Sequence, residues 1–225
     1  MLKELFNRLS STYDQDVIAC DNQNQFPFAG YQKILDFIAS DINVRRDFST
    51  VSVLDLGIGT GILASKLKPE RLTIYGIDQS EGMLEIATLK HPNAKLFLKD
   101  FRLGLPQEIA FQTFDYIVST YAMHHIPDVE FSNYLEYLID HLNPFGKIYI
   151  GDVLFLNYRE KESCRQSNLK NWDESEFYHV YEQVIAHLKK QLSVSFMKMS
   201  FCSGILIIEK YHERSLHSSE VLVKY

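Results

Sequence analysis

Cysteine is scarce in this sequence: Cys20, Cys164 and Cys202 lie far apart and form no C-x-x-C pair. A scattered, odd set indicates neither a disulfide framework nor a zinc site, and it suits a reducing cytoplasm. Long apolar runs are missing as well. No stretch approaches the roughly 18 apolar residues that a membrane-crossing helix needs. The opening MLKELFNRLSSTYDQD reaches polar residues within a turn or two and has no apolar signal core. Neither an export signal nor a membrane anchor is expected. Positive charge is in deficit too, with 23 Lys and Arg against 29 Asp and Glu for a net charge of −6. The chain lacks the overall positive field that non-specific nucleic-acid binding draws on, so nucleic acid is a disfavoured partner. Internal repeats and low-complexity tracts are absent.

What is present is the composition of an ordinary globular protein, 46% hydrophobic, 13% aromatic and 23% charged, which excludes disorder and collagen-like repeats. At 225 residues the chain is long for a minimal domain and short for two, so one core with an extension or cap is expected.

The first fifty residues read as a helical cap. Leu2, Leu5, Phe6 and Leu9 form one helical stripe, and Tyr31, Ile34, Leu35 and Ile38 form another. Between them STYDQDVIACDNQNQFPFAG reads as a loop or broken helix, a candidate lid. From Val51 the texture changes. The short apolar runs 51–56, 72–78, 94–100, 114–120 and 146–152 read as strands buried on both faces. Helical patterns at 61–68, 80–90 and 128–142 separate them. Such alternation predicts right-handed βαβ units and a parallel sheet. Asn143, Pro144 and Gly146 should stop the last of these helices ahead of a strand at 147. The polar, aromatic segment 156–192 reads as a helical insertion, mostly helical in its second half. SVSFMKMSF and ILIIEKY around Cys202-Ser203-Gly204 read as an antiparallel hairpin, and the tail from residue 211 gives no clear signal.

The strongest motif is Asp55-Leu56-Gly57-Ile58-Gly59-Thr60-Gly61, a strand end running into a helix. Ligands of open parallel sheets lie beyond the carboxyl ends of the strands, and glycines there let a ligand approach the backbone. The spacing is G-x-G-x-G. A dinucleotide fingerprint needs glycine where Ile62 stands, which disfavours NAD and FAD. Asp55 opposes a pyrophosphate but suits an ammonium or sulfonium charge. Asp78, at the end of the second strand, is placed to accept ribose hydroxyls. Asp100-Phe101 combines an acceptor for an adenine amino group with an apolar wall. Together these positions describe an adenosine site.

VLDLGIGTG, YGIDQS, KDF, FDYIVSTYAMHHI and LNPFGKIYIGDVLF resemble, in order and spacing, the class I S-adenosylmethionine-dependent methyltransferases, over about residues 51–210. With SSTYDQDV and GYQKILDFI upstream, the chain is similar to small bacterial methyltransferases of unassigned substrate. The resemblance implies an α/β, Rossmann-like fold: a seven-stranded, mainly parallel sheet with a C-terminal antiparallel hairpin, helices on both faces and an N-terminal helical cap. It also implies S-adenosyl-L-methionine as cofactor. Carried over, Gly57, Gly59 and Gly61, with Asp55, would hold the methionine portion. Asp78 would take the ribose with Gln79 and Met83 beside it, Asp100 and Phe101 the adenine, and Ser119 and Thr120, with Tyr121, the strip beneath the sulfonium. Ser-Thr-Tyr-Ala replaces the N/D-P-P-Y pattern of nucleic-acid and protein amino-methylating enzymes, which points to a small-molecule acceptor.

Plainer readings stand beside these. Asp78 and Ser80 are both placed to cap the helix that follows. His124 and His125 are candidate general bases or parts of the cavity wall. Tyr13 either closes over the cofactor or packs beneath the cap, and the aromatics Trp172, Phe177, Tyr178 and Tyr181 either line an acceptor pocket or form a buried helix face. A cofactor-sensing protein that transfers nothing, and less so an NAD-dependent oxidoreductase, remain alternatives to a transferase. A homodimer is left open.

Overall fold

The computed structural model describes residues 12–44, 50–68, 70, 72–188 and 192–210. The stripe at Leu2–Leu9 and the tail from residue 211 lie outside them. Two helices, α1 (Tyr13–Asn22) and α2 (Tyr31–Val44), precede a sheet built from β1 (Val51–Leu56), β2 (Leu72–Asp78), β3 (Lys95–Leu98), β4 (Phe114–Thr120) and β5 (Leu142–Val153). Helices α3 (Ile62–Lys66), α4 (Glu81–Lys90) and α5 (Asp128–Asp140) connect them, and α6 (Tyr158–Ser167) and α7 (Tyr181–His187) lead into β6 (Leu192–Lys198) and β7 (Ser203–Lys210). The strand order is β3-β2-β1-β4-β5-β7-β6. The first five strands run parallel, while β7 is antiparallel to both of its neighbours. The fold class expected from the sequence is the one found.

Alternation along the strands sends side chains to two cores. Val51 and Val53 of β1, Tyr116 and Val118 of β4, and Tyr149 and Val153 of β5 face one side, where the apolar stripe Ile34, Leu35, Ile38 and Ile42 of α2 covers them. Leu54, Leu56, Ile117, Ile148 and Ile150 face the other, beneath Phe131, Leu135, Leu138 and Ile139 of α5. Each fully buried side chain of this size stabilises by about 1.5–3 kcal/mol. Helix α2 approaches β5 so closely that Ile34 occupies the space a Cβ on Gly151 would need.

Several local expectations need correction. Strand β3 is an edge strand with Lys95 and Leu98 exposed, not a run buried on both faces. Asn143–Gly146 does not sit ahead of β5 but inside it. Phe114 pairs with Leu142 and Tyr116 with Lys147, so the extra residues bulge outward with Phe145 at φ 65°. Of the two readings of the segment after Ser11, the broken helix is the one found: it is helical to Asn22, with one buried residue, Val17, and irregular beyond. Insertion 156–192 is helical in α6 and α7 but irregular between them. Trp172 and Tyr178 lie in that irregular stretch, where they pack on Phe26 instead of forming a helix face.

Candidate functional site

Strand order reverses direction between β1 and β4, and at such a switch point the loops splay apart to leave a crevice. Here the chain leaving β1 folds back over the end of β2, with Gly57 N and Ile58 N both donating to Ile77 O at 2.8 and 3.1 Å. The turn then meets Asp78. Its carboxylate accepts Gly59 N at 2.9 Å through one oxygen and Ser80 N at 2.8 Å through the other, bracketing the turns after β1 and β2. Burial raises the Asp78 pKa, while the Ser80, Gly59 and Gln79 amides pull it back. Glycine is required at position 57, where φ is 77° and a Cβ would lie 2.5 Å from that of Ala122. Gly59 also has positive φ, yet the space beyond its Cα is open. The turn therefore presents bare backbone to a cavity.

That cavity opens to solvent and leaves about 70 Å³ of room for water-sized groups. Gly57, Ile58, Gly59 and Thr60 form one wall, with Asp78, Gln79 and Met83 next to them. Phe101 closes a second side, and Thr120, Tyr121, Ala122 and His125 a third. Tyr13 of α1 and Tyr31 of α2 complete the lining. Ser119 does not reach the cavity. It donates to Leu56 O at 2.8 Å and so fixes the end of β4 against the end of β1.

A family model described as a methyltransferase domain matches residues 53–146. A protein of Alkaliphilus oremlandii named an uncharacterized methyltransferase is 30% identical over 92% of this chain and 93% of its own. Another of that name, from Geobacillus thermodenitrificans, is 36% identical over 73% and 71%. Two solved structures share the fold. The magnesium protoporphyrin IX methyltransferase of Synechocystis, with bound S-adenosylhomocysteine, is 16% identical with a TM-score of 0.63 over 82% of this chain and 85% of its own. The plantazolicin methyltransferase, in complex with S-adenosylhomocysteine and a desmethyl analogue, is 16% identical with a TM-score of 0.63 over 93% and 97%. This chain belongs to the S-adenosylmethionine-dependent methyltransferases.

In this methyltransferase the expected site residues divide by position. Gly57, Gly59, Asp78, Gln79, Met83, Phe101, Thr120, Tyr13 and His125 line the cavity. Asp55 lies one layer behind the turn, 3% exposed, with Oδ1 lacking a hydrogen-bond partner. Burial, and then the charge of Asp78, push its pKa up to about 7. Gly61 initiates α3 and faces His91, whose ring a Cβ would strike at 2.6 Å. The Asp100 carboxylate turns to Arg102, accepting Nε at 2.9 Å and Nη2 at 2.6 Å. Burial opposes its charge, but these bonds outweigh that and hold its pKa below the carboxylate range.

The two histidines have opposite environments. His124 is buried and its Nδ1 lies 2.7 Å from Asp152 Oδ1. Met123 N and His124 N donate to the other Asp152 oxygen, and Val153 N donates to Oδ1 at 2.7 Å. Burial works against charge on both partners, yet their mutual attraction raises the His124 pKa and lowers that of Asp152. His125, by contrast, is pushed down to about 3 by burial and by His124. Its ring is neutral at neutral pH.

The cavity wall at Tyr121 is aromatic. Tyr121, at φ 52°, places its ring 5.2 Å from both Phe28 and Tyr31, and Tyr13 packs edge-on against Phe28 at 6.2 Å. Burial raises the pKa of all three phenols, which therefore remain protonated. The sequence reading placed Tyr121 on this face but not Tyr31. Tyr31 carries the helical stripe of α2, and nothing in a stripe separates a core position from one at the cavity rim.

Proposed function

We propose that the chain transfers a methyl group from S-adenosylmethionine to a small-molecule acceptor by in-line displacement. The observation that carries this reading is that the glycine turn and Asp78 line the same cavity as Tyr13, Tyr31 and Tyr121. The residues fit the cofactor: bare backbone at Gly59, an unpartnered carboxylate oxygen on Asp55 for a cationic group, and an apolar wall at Phe101. The acidic net charge, and Ser-Thr-Tyr-Ala at 119–122, support a small acceptor over nucleic acid. Buried free thiols at Cys164 and Cys202 support work in a reducing cytoplasm.

Bound here, S-adenosylmethionine supplies a methyl group on a positively charged sulfur that departs as a neutral thioether. No side chain is needed as a general acid. Asp78, anchored by the Gly59, Ser80 and Gln79 amides, would keep lone pairs for ribose hydroxyls. With the Asp100 side chain held by Arg102, Phe101 would supply the apolar wall for the adenine. The protonated phenols would donate hydrogen bonds to the acceptor. Catalysis is then mainly positioning, which can supply about 7–11 kcal/mol.

Calorimetry with S-adenosylmethionine, S-adenosylhomocysteine and NAD, followed by an acceptor screen for S-adenosylhomocysteine release, tests the reading. We expect binding of the first two ligands only, and turnover on small nucleophiles. Failure to bind either removes the assignment, and binding without turnover over a broad acceptor set favours a cofactor sensor instead.

A further inference from the structure

Beside the cavity, the wall turn Met123–His125 meets the irregular segment between α6 and α7. Phe177 N donates to His124 O at 2.7 Å, which fixes the preceding residue, Glu176, against the two histidines. One ligand atom each from His124, His125 and Glu176 lies within 4.8 Å of the others. The rings of His124 and His125 sit 4.2 Å apart at 69°. His124 Nε2 is 3.6 Å from Glu176 Oε1, beyond hydrogen-bond reach. Two ligands about 2.1 Å from a tetrahedral ion stand roughly 3.4 Å apart. The gap is that of a coordination edge.

Two of the three ligands have an outer partner that orients them. Asp152 Oδ1, 2.7 Å from His124 Nδ1, holds the tautomer that leaves Nε2 as the lone-pair atom. Tyr178 donates to Glu176 Oε2 at 2.7 Å, which leaves Oε1 directed at the histidines. The surrounding field is negative, since Asp152, Glu176 and Asp173 all act on His124. Arg102 beside His125 opposes them.

We propose that His124 Nε2, a ring nitrogen of His125 and Glu176 Oε1 bind a divalent first-row transition cation such as zinc, with Asp152 and Tyr178 as positioning residues. Two imidazoles and one carboxylate suit zinc, cobalt or nickel, and disfavour magnesium and calcium, which prefer oxygen. The cation ties the segment at 168–180 to the cavity wall. Because His125 lines the cavity, the fourth coordination position is available to an acceptor oxygen, sulfur or nitrogen, whose proton the cation would make more acidic. That last use rests on the methyl-transfer reading, whereas cation binding does not.

The experiment is a titration of the full chain with zinc chloride by calorimetry, and with cobalt by visible absorption. It is repeated on Glu176→Gln, His125→Ala and Asp152→Asn, with circular dichroism to confirm folding. One equivalent should bind. Glu176→Gln and His125→Ala should weaken it at least about tenfold, and Asp152→Asn by about 10–100-fold. Magnesium should not compete. Glu176 and His125 are only partly buried, so their variants keep the fold even if Asp152→Asn does not. Absent zinc binding, zinc binding unchanged in both Glu176→Gln and His125→Ala, or equal binding of magnesium overturns the site. S-adenosylmethionine binding is measured on the same samples, so loss of the cation site and loss of the methyl-transfer reading are told apart.

Discussion

Asp55 carries a buried carboxyl that the folded chain holds near pKa 7, against an ordinary value of 3.8. The folded state therefore keeps its proton between about pH 4 and 7, where the unfolded state has lost it. With more protons bound in the folded form, stability falls as pH rises through that window and is level above it. Each unit costs about 1.4 kcal/mol. The stability difference between Asp55→Asn and the parent should shift in favour of the variant from pH 4 to 7 and then stay constant, in urea unfolding at each pH. A difference independent of pH would mean that Asp55 is ionised throughout. The same carboxyl should respond to a cationic ligand. If it faces the cofactor's ammonium, S-adenosylmethionine should bind more tightly at pH 8 than at pH 6, with proton release at the lower pH.

Asp14 ties helix α1 to the glycine turn. Asp14 accepts Thr60 Oγ1 at 2.6 Å through one oxygen, and the other lies 2.7 Å from Lys90 Nζ. The glycine turn and α4 are thus both tied to α1, which buries only Val17 of its own. The Lys90 contact is half exposed and contributes little, whereas a hydrogen bond to a charged group contributes about 1.5–3 kcal/mol. Asp14→Ala should therefore speed amide exchange across Tyr13–Asn22 and raise the cofactor off-rate several-fold, with little change in global stability. Unaltered exchange would show that other contacts hold the helix. This latch was not legible in the sequence, because Asp14 and Thr60 are brought together only by the tertiary fold. Strands β1, β2 and β4 were legible to the residue, since each is a short apolar run. The bulge in β5 was not: Asn143, Pro144 and Gly146 read as a helix stop, and nothing local shows that the neighbouring strand pairs with residues on both sides of it.

At the scale of the molecule, the cavity joins parts of the chain far apart in sequence: Tyr13 and Tyr31 from the N-terminal helices, the turns after β1 and β2, and the wall after β4. The sequence pointed to Gly57, Gly59 and Asp78, which line the cavity, because they sit at strand ends. It did not bring Glu176 to His124 and His125, because Glu176 lies some fifty residues beyond His124 and tertiary contacts such as the Phe177–His124 backbone bond place it. The N-terminal fifty residues were expected as a cap, yet α2 packs into the same core as β1, β4 and β5. Ser203 Oγ, at the start of β7, donates to Ala29 O at 2.7 Å and fastens the turn before α2 to the hairpin. Heat should therefore melt the described chain in one transition rather than releasing the cap first. A ligand bound across these parts stabilises the whole by mass action, about 2.7 kcal/mol at a hundred times its Kd. For a chain of this size that corresponds to a rise in Tm of roughly 5–10 °C. Scanning calorimetry with saturating S-adenosylhomocysteine should show one peak displaced by that amount, and none with NAD. A second, unshifted peak would show that a part of the chain melts independently of the cavity.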